Sequence, residues 1–183
     1  MSNYEEAGFA LHLFCLLNKC LQGVPNKGRV ALITPYSQQV VLLKRLFYNE
    51  LGASYTQMVD ISTIDAFQGK ESNIVILSCV RGYSNNVGIG FLNDVQRMNV
   101  ALTRAKIFLF VIARCRTILV NPYWRDLIKH ARKHQAIIKV PINGHDRIDS
   151  AYKKGDRSSE DITFPDLQYL QPLHLSENNN LGL

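Results

Sequence analysis

Several short stretches of this chain are apolar on both sides at once. Arg29-Val-Ala-Leu-Ile-Thr34, Ile74-Val-Ile-Leu-Ser-Cys79 and residues 107–113 show almost no polar alternation. Successive side chains of a strand point to opposite faces, so a strand apolar throughout needs a covering layer on each side. Between these runs lie amphipathic stretches of helical period. Residues 5–21 repeat Phe9, Leu13, Leu16, Leu17 and Cys20 at steps of three and four, and residues 37–51 repeat Val40, Leu43, Phe47 and Leu51. Buried strands alternating with helices predict an α/β fold, with a mostly parallel sheet covered by helices on both faces.

The punctuation sets the rest of the order. Gly23, Pro25, Asn26 and Gly28 break the first helix, and Pro35 ends the first strand. Residues 59–64 and 74–79 are expected as strands, 84–90 as a loop and 93–105 as a helix. Residues 107–113 follow as a strand, 122–133 as a helix and 136–140 as a last strand. Beyond residue 140 no periodic apolar face remains, and Pro141, Gly144, Gly155, Pro165 and Pro172 interrupt the chain. The expected organisation is one folded domain over residues 1–140 and a disordered or loosely attached tail over 141–183.

The 183 residues suffice for one domain with a real core. No apolar run approaches the roughly 18 residues of a membrane helix. The start, with Glu5 and Glu6 and no basic leader, does not read as a secretory signal. Cys15, Cys20, Cys79 and Cys115 lack C-x-x-C spacing and read as reduced core residues of an intracellular protein. His130 and His134, at i and i+4 with nothing to complete a site, read as surface residues, and no metal site is expected. The net charge of +6 is uneven. Residues 61–140 carry twelve basic against four acidic side chains, and residues 141–183 four against seven. A polyanion such as nucleic acid or a nucleotide is the natural partner of the basic stretch, with a solvated basic surface as the plain alternative.

Gly23-Val-Pro-Asn-Lys-Gly28-Arg29 has the glycine spacing of a phosphate loop, but Arg-Val stands where Lys-Ser/Thr is needed, and the segment precedes a strand. No acidic pair that could hold Mg²⁺ ends an apolar strand. Three other segments carry polar groups where a parallel sheet can use them. Thr34-Pro-Tyr-Ser-Gln38 follows the first strand; Tyr36 can stack on a base and the Thr34 hydroxyl can meet a phosphate, or both simply pack. Residues 61–73 place Ser62, Thr63, Asp65, Gln68, Lys70 and Glu71 between two strands, in loops where such sheets bind ligands, with Gly69 allowing a positive φ or a close approach, or else form a polar solvent loop with Gly69 as a hinge. On a helix over 93–105, Val95, Met98, Leu102 and Ala105 form the core face. Arg97, Ala101 and Arg104 form a second stripe, two guanidiniums aimed at an anion across an opening or two solvated arginines.

Taken in order, Ile33-Thr-Pro-Tyr36, Thr63-Ile-Asp-Ala-Phe-Gln-Gly-Lys-Glu71 and Arg97-Met-Asn-Val-Ala-Leu-Thr-Arg-Ala-Lys106 resemble motifs IV, V and VI of the superfamily-one helicases related to senataxin and the nonsense-mediated-decay helicase. The resemblance runs from about Asn3 to Val140. Ile76-Leu-Ser-Cys-Val-Arg81, Val87-Gly-Ile-Gly-Phe-Leu92 and Trp124-Arg-Asp-Leu-Ile128 look closest to the senataxin branch. It implies a RecA-like three-layer domain, the C-terminal of two lobes, working with ATP and Mg²⁺ on single-stranded RNA or DNA in an intracellular setting, the nucleus first and the cytoplasm as the alternative. It also implies that Arg104 is the arginine finger, and that Glu71 lies by the ribose or triphosphate with Gln68 and Gly69 shaping that loop. Lys70 stands where many relatives have Arg, and Arg97 touches phosphate or braces its helix. Thr34, Pro35, Tyr36 and Thr63 would line the nucleic-acid track. The phosphate-gripping first lobe would have to be supplied by another part of a longer protein. The other reading is a non-catalytic RecA-like binding or scaffold module.

Overall fold

In a computed structural model the chain divides into two units, Met1–His145 and Asp146–Leu183. The structure describes residues 1–22, 29–80, 90–138 and 140, all in the first unit. The expected loop at 84–90, apart from Gly90, and the expected tail at 141–183 lie outside the described residues.

Four parallel strands form the sheet: β1 (Val30–Thr34), β2 (Val59–Thr63), β3 (Ser72–Ser78) and β4 (Ala105–Ile112), in spatial order β2-β1-β3-β4. The two strands fully buried on both sides, β1 and most of β3, take the centre, as their composition requires. Alternation divides their side chains between two cores. Val30, Leu32, Ile74 and Ile76 point to one face, together with Val59 and Ile61 of β2. Ala31, Ile33, Val75 and Leu77 point to the other. The edge strand β2 has Asp60 and Ser62 at its intervening positions, so only one of its sides is apolar.

Helices α1 (Tyr4–Cys20) and α2 (Ser37–Leu51) cover the first face. Asn3 starts α1, its side chain accepting from the Glu6 N–H at 3.1 Å. Pro35 fits the end of β1 because it has no N–H to give the ladder, and α2 spans the residues expected for it. Its buried set is Gln39, Leu42, Leu43, Leu46 and Phe47, so the apolar stripe is rotated slightly from the expected one, and Val40 and Leu51 are only half-buried. Phe14 and Phe47 meet with ring centroids 5.2 Å apart. Gly52 ends α2 at φ 66°, a conformation glycine adopts without steric cost. A short helix, α3 (Tyr55–Met58), leads into β2.

The second face is covered by α4 (Val95–Leu102), α5 (Cys115–Ile118) and α6 (Pro122–Lys133). Met98, Ala101, Ile118, Trp124 and Ile128 supply its core. Asp94 caps α4 by accepting from the N–H groups of Gln96 and Arg97, and Asn121 caps α6, which has Pro122 in its first turn. A parallel sheet with helices on both faces is the architecture of a RecA-like α/β domain.

Four expectations need correction. The helix expected over 93–105 stops at Leu102. The Thr103 hydroxyl donates to the carbonyls of Asn99 and Val100, at 2.7 and 3.3 Å, and the Arg104 carbonyl accepts from the Ser72 N–H at 3.0 Å, drawing the chain into the β3–β4 ladder. Ala101 is fully buried, so it does not share an outward stripe with the two arginines. The last strand expected at 136–140 is absent among the described residues. Gln135 turns at φ 53°, its N–H reaches the Arg132 carbonyl, and the Ala136 N–H reaches the Ala131 carbonyl at 2.9 Å. This left-handed closure of α6 puts Ile137 against the second core instead of beside β4. Finally, Cys79 is a core residue, but Cys20 and Cys115 are exposed thiols.

Candidate nucleotide and nucleic-acid site

Gln68, Gly69, Lys70 and Glu71 reach the opposite end of the sheet from Thr63, because the connection between β2 and β3 runs the height of the domain. Ile64 anchors its start, buried, with its N–H on the Thr34 carbonyl at 3.0 Å. Asp65–Phe67 form a 3-10 turn that buries Phe67 in the second core. Gly69 then turns at φ 79°, with no atom within 4 Å of where a Cβ would stand. Its need is therefore conformational and not close approach. Thr34, Pro35, Tyr36, Thr63 and Asp65 lie at the carboxyl ends of the strands, and Gln68 to Glu71 at the amino ends. The segment 61–73 thus serves both ends of the sheet, with Thr63 at one and Glu71 at the other.

Arg104 is at the amino end, in the turn between α4 and β4. Its Nε donates to the Val100 carbonyl at 2.9 Å, Nη1 to the Lys70 carbonyl at 3.3 Å and Nη2 to the Thr103 hydroxyl at 3.0 Å. Beside it Lys106 pairs with Glu71 at 3.2 Å, and Lys70 pairs with Asp60 at 3.6 Å while its ammonium lies 5.8 Å from the Phe67 ring centre. These pairs are half-exposed, so each contributes under about 1 kcal/mol and yields readily to a stronger anion. Arg29, Asp60, Phe67, Lys70, Glu71 and Ser72 are among the residues lining a cleft of about 330 Å³ at this end. Arg97 is elsewhere. It pairs with Asp65 at 3.2 Å and Asp94 at 3.4 Å, tying the start of α4 to the end of β2. The two arginines thus do not form one outward stripe. One is matched by two carboxylates, and the other is held by neutral oxygens in all three hydrogen bonds described for it.

At the carboxyl end Thr34 is fully buried and Pro35 is buried, whereas Tyr36 and Thr63 are half-buried. The Thr34 Oγ1 accepts from the Tyr36 N–H at 3.5 Å, and the Thr63 Oγ1 accepts from the Ala66 N–H at 3.2 Å. Tyr36 and Thr63 therefore have side-chain surface to offer at this end, with Thr34 and Pro35 shaping the backbone beneath. His130 and His134 are exposed, their rings 4.4 Å apart. Among the described residues no three His, Cys, Asp or Glu side chains are placed to hold a metal, and no helix is long and apolar enough to cross a membrane.

A buried acidic network behind this edge was missed in the sequence. Glu6 is 8% exposed, and its Oε2 accepts from the Ser78 hydroxyl at 2.9 Å and the Val80 N–H at 2.7 Å. Gln39 donates to Ser78 and to the Asn3 carbonyl and accepts from the Asn3 N–H, while Asn3 donates to the Val80 carbonyl. The network holds Val80 at φ 68°, strained for a β-branched residue. The available signal was Asn3 three residues before Glu6, a helix-capping spacing, although the carboxylate reaches across to β3.

Burial raises the Glu6 pKa from 4.5 to about 7, outweighing the Val80 and Ser78 hydrogen bonds that lower it, with a small further rise from Glu5. Between those two values the folded chain holds a proton that the unfolded chain releases, so stability falls as pH rises through the window and levels off above it. Urea unfolding of the chain between pH 5 and pH 8 should show a loss of about 2–3 kcal/mol from this group. In Glu6→Gln, which keeps an acceptor for Val80, that part of the slope should vanish; an unchanged slope would place the titrating group elsewhere.

Fold and site together define a RecA-like α/β domain with charged clusters at both ends of its parallel strands. Residues 1–116 match the AAA domain family, and the chain belongs to that family, within the senataxin and nonsense-mediated-decay group of superfamily-one helicases. It is 40% identical over 139 residues to a probable helicase of Dictyostelium discoideum, covering 75% of this chain and 14% of that protein. It is 35% identical over 163 residues to helicase sen1 of Schizosaccharomyces pombe, covering 88% and 10%, and 41% identical over 138 residues to the probable helicase senataxin of Homo sapiens, covering 75% and 5%. The chain thus spans a small fraction of the length of the curated relatives it matches.

Proposed function

We propose that this chain is the C-terminal motor lobe of an ATP-dependent, nuclear RNA/DNA helicase, working 5′ to 3′ on a single strand. The observation that carries the reading is the setting of Arg104. Its guanidinium is oriented by three neutral oxygens and not neutralised by a carboxylate, beside Lys70 and Glu71 at the same end of the sheet. Such a group is preorganised to meet negative charge arriving from outside the lobe. Arg104, Lys70 and Lys106 form a cationic donor set that suits phosphoryl oxygens. In this reading Mg²⁺ and the phosphate cradle belong to the other lobe, opposite the Arg104 guanidinium.

In this reading ATP bound between the lobes supplies a γ-phosphoryl group whose negative charge is spread over three equatorial oxygens in the transition state. Arg104 is the finger for those oxygens. Glu71 accepts from the ribose or orients the triphosphate, Gln68 and Gly69 set the turn that presents it, and Lys70 adds charge. Arg97, committed to Asp65 and Asp94, braces α4 and does not touch phosphate. Tyr36 and Thr63 contact the strand at the carboxyl end over Thr34 and Pro35.

The purified chain should turn over no ATP, because catalysis of this type needs a phosphate cradle and metal opposite the finger. It should bind a single-stranded oligonucleotide weakly and with strong salt dependence, and Tyr36→Ala and Thr63→Ala should each weaken that binding several-fold in fluorescence anisotropy. RNA-stimulated turnover by the chain alone would overturn the half-motor reading, and unaltered binding by both variants would overturn the track.

A further inference from the structure

Residues 114–134 hold Arg114, Arg116, Arg125, Lys129, Arg132 and Lys133 against one acid, Asp126, a net +5 in a chain of net +6. None of these cations belongs to the three motif segments. Trp124 and Ile128 fix which side of α6 is buried. At about 100° per residue, Arg125, Lys129, Arg132 and Lys133 then fall within an arc of roughly 100° that starts beside Ile128 and runs along one flank to the outer side, and all four are exposed. Along the axis Lys129 stands about 6 Å and Arg132 about 10 Å beyond Arg125.

Like charges at these spacings repel one another, at a cost of some tenths of a kcal/mol per pair. The helix dipole offsets this for Arg132 and Lys133 in the last turn but opposes Arg125 near the start. Asp126 pairs with Lys129 at 3.4 Å, both side chains about 70% exposed, and contributes little. Arg125 Nε donates to the Leu119 carbonyl at 3.2 Å, which aims the guanidinium without neutralising it. The stripe is therefore an unfavourable concentration of positive charge on a helix whose inner side already has its packing partners.

Its position says which polyanion it meets. The Asn121 side chain donates to the Asn93 side chain at 2.8 Å, beside the Asp94 cap of α4 and the Arg97–Asp65 pair. The helix thus begins at the carboxyl end of the sheet, the end of Tyr36 and Thr63, and runs away from it. We propose that Arg125, Lys129, Arg132 and Lys133 form a second contact for the nucleic-acid phosphate backbone, outside the motif-lined track. The surface takes the strand after it leaves Tyr36 and Thr63, and reads charge and not bases. This rests on the reading that a strand crosses the carboxyl end.

The test is fluorescence anisotropy of a labelled 20-nucleotide oligouridine with the 183-residue chain over a salt series. Combining Arg125→Gln, Lys129→Gln, Arg132→Gln and Lys133→Gln should weaken binding by at least about tenfold at low salt, and reduce the slope of log K against log salt by about 2–3, at roughly 0.7 per phosphate contact. Tyr36→Ala should weaken binding with little change in slope. An unchanged slope and affinity in the four-glutamine variant would overturn the α6 surface while leaving the track intact. Loss with that variant but not with Tyr36→Ala or Thr63→Ala would support the surface and sink the track. Tighter binding of polyglutamate than of oligouridine at equal charge, with the same loss in the four-glutamine variant, would overturn nucleic acid in favour of an acidic protein. Acetylation of the unmutated chain gives an independent readout. Oligouridine should protect Lys129 and Lys133 but not the exposed Lys44 on the opposite face, and equal labelling with and without it would also overturn the proposal.

Discussion

In a complete two-lobed protein, Arg104→Ala should lower ATP turnover by roughly 10³- to 10⁵-fold, the range associated with arginine fingers. The fold should survive, since the residue sits half-exposed in a turn whose backbone is secured by the Ser72 N–H. Arg104→Lys should recover little of the rate. Three donors on one planar group reach the Val100 and Lys70 carbonyls and the Thr103 hydroxyl at once, and an ammonium on a flexible stem cannot hold that geometry. Arg97→Ala is the comparison. It unpairs Asp65 and Asp94 at the other end of the sheet, so it should lower the melting temperature by a few degrees and turnover far less than Arg104→Ala. A dead Arg97→Ala beside an active Arg104→Ala would put the finger on the wrong arginine, and two active variants would show that neither faces the nucleotide.

Trp124→Ala should produce the largest loss of stability among single substitutions on the second face. The indole is 1% exposed and is the largest fully buried side chain of the described residues. It packs in the cluster that holds Ala31, Ile33, Val75 and Leu77 of the sheet and Met98 of α4. Truncation of a buried tryptophan costs about 3–5 kcal/mol, lost transfer energy plus a cavity, which for a domain of this size is on the order of 10 °C or more in Tm. Tyr123→Ala next to it removes a side chain that is 52% exposed and should stay within about 0.5 kcal/mol of the parent. Thermal melts of both variants check the pair, and equal losses would mean that the second face is not packed through Trp124.

The central strands and the α2 and α6 helices were legible because hydrophobic period and punctuation agreed there. Val30–Thr34 is apolar on both sides, Gly52 follows α2, and Asn121-Pro122 opens α6. Legibility failed where two local preferences were equally strong. Residues 103–105 continue the helical period of α4 and suit a helix, and only pairing with β3, a long-range contact, turns them into the start of β4. The 136–140 run has strand composition, but the closing turn at Gln135 captures it first. The division between Thr63 on the track and Glu71 by the nucleotide came from the motif resemblance and not from the local pattern. Thr63 and Glu71 are neighbours in sequence, and nothing local says that Ile64 and Phe67 pin the chain between them so that it crosses the domain. Glu6 was hidden for another reason. An acid in the first turn of a helix normally marks solvent, and its burial depends on Ser78 and Val80, more than seventy positions away.

The span from Ile64 to Glu71 has a mechanical consequence. It is pinned at both ends by strands and in the middle by Ile64 and Phe67, which sit in a core packed too densely to absorb small movements. The two rims are thereby joined through a single stretch of backbone, with Phe67 fixed between them and Asp65 tied by Arg97 to the start of α4. The same few residues that carry Lys70 and Glu71 at one rim therefore set the position of Asp65 at the other.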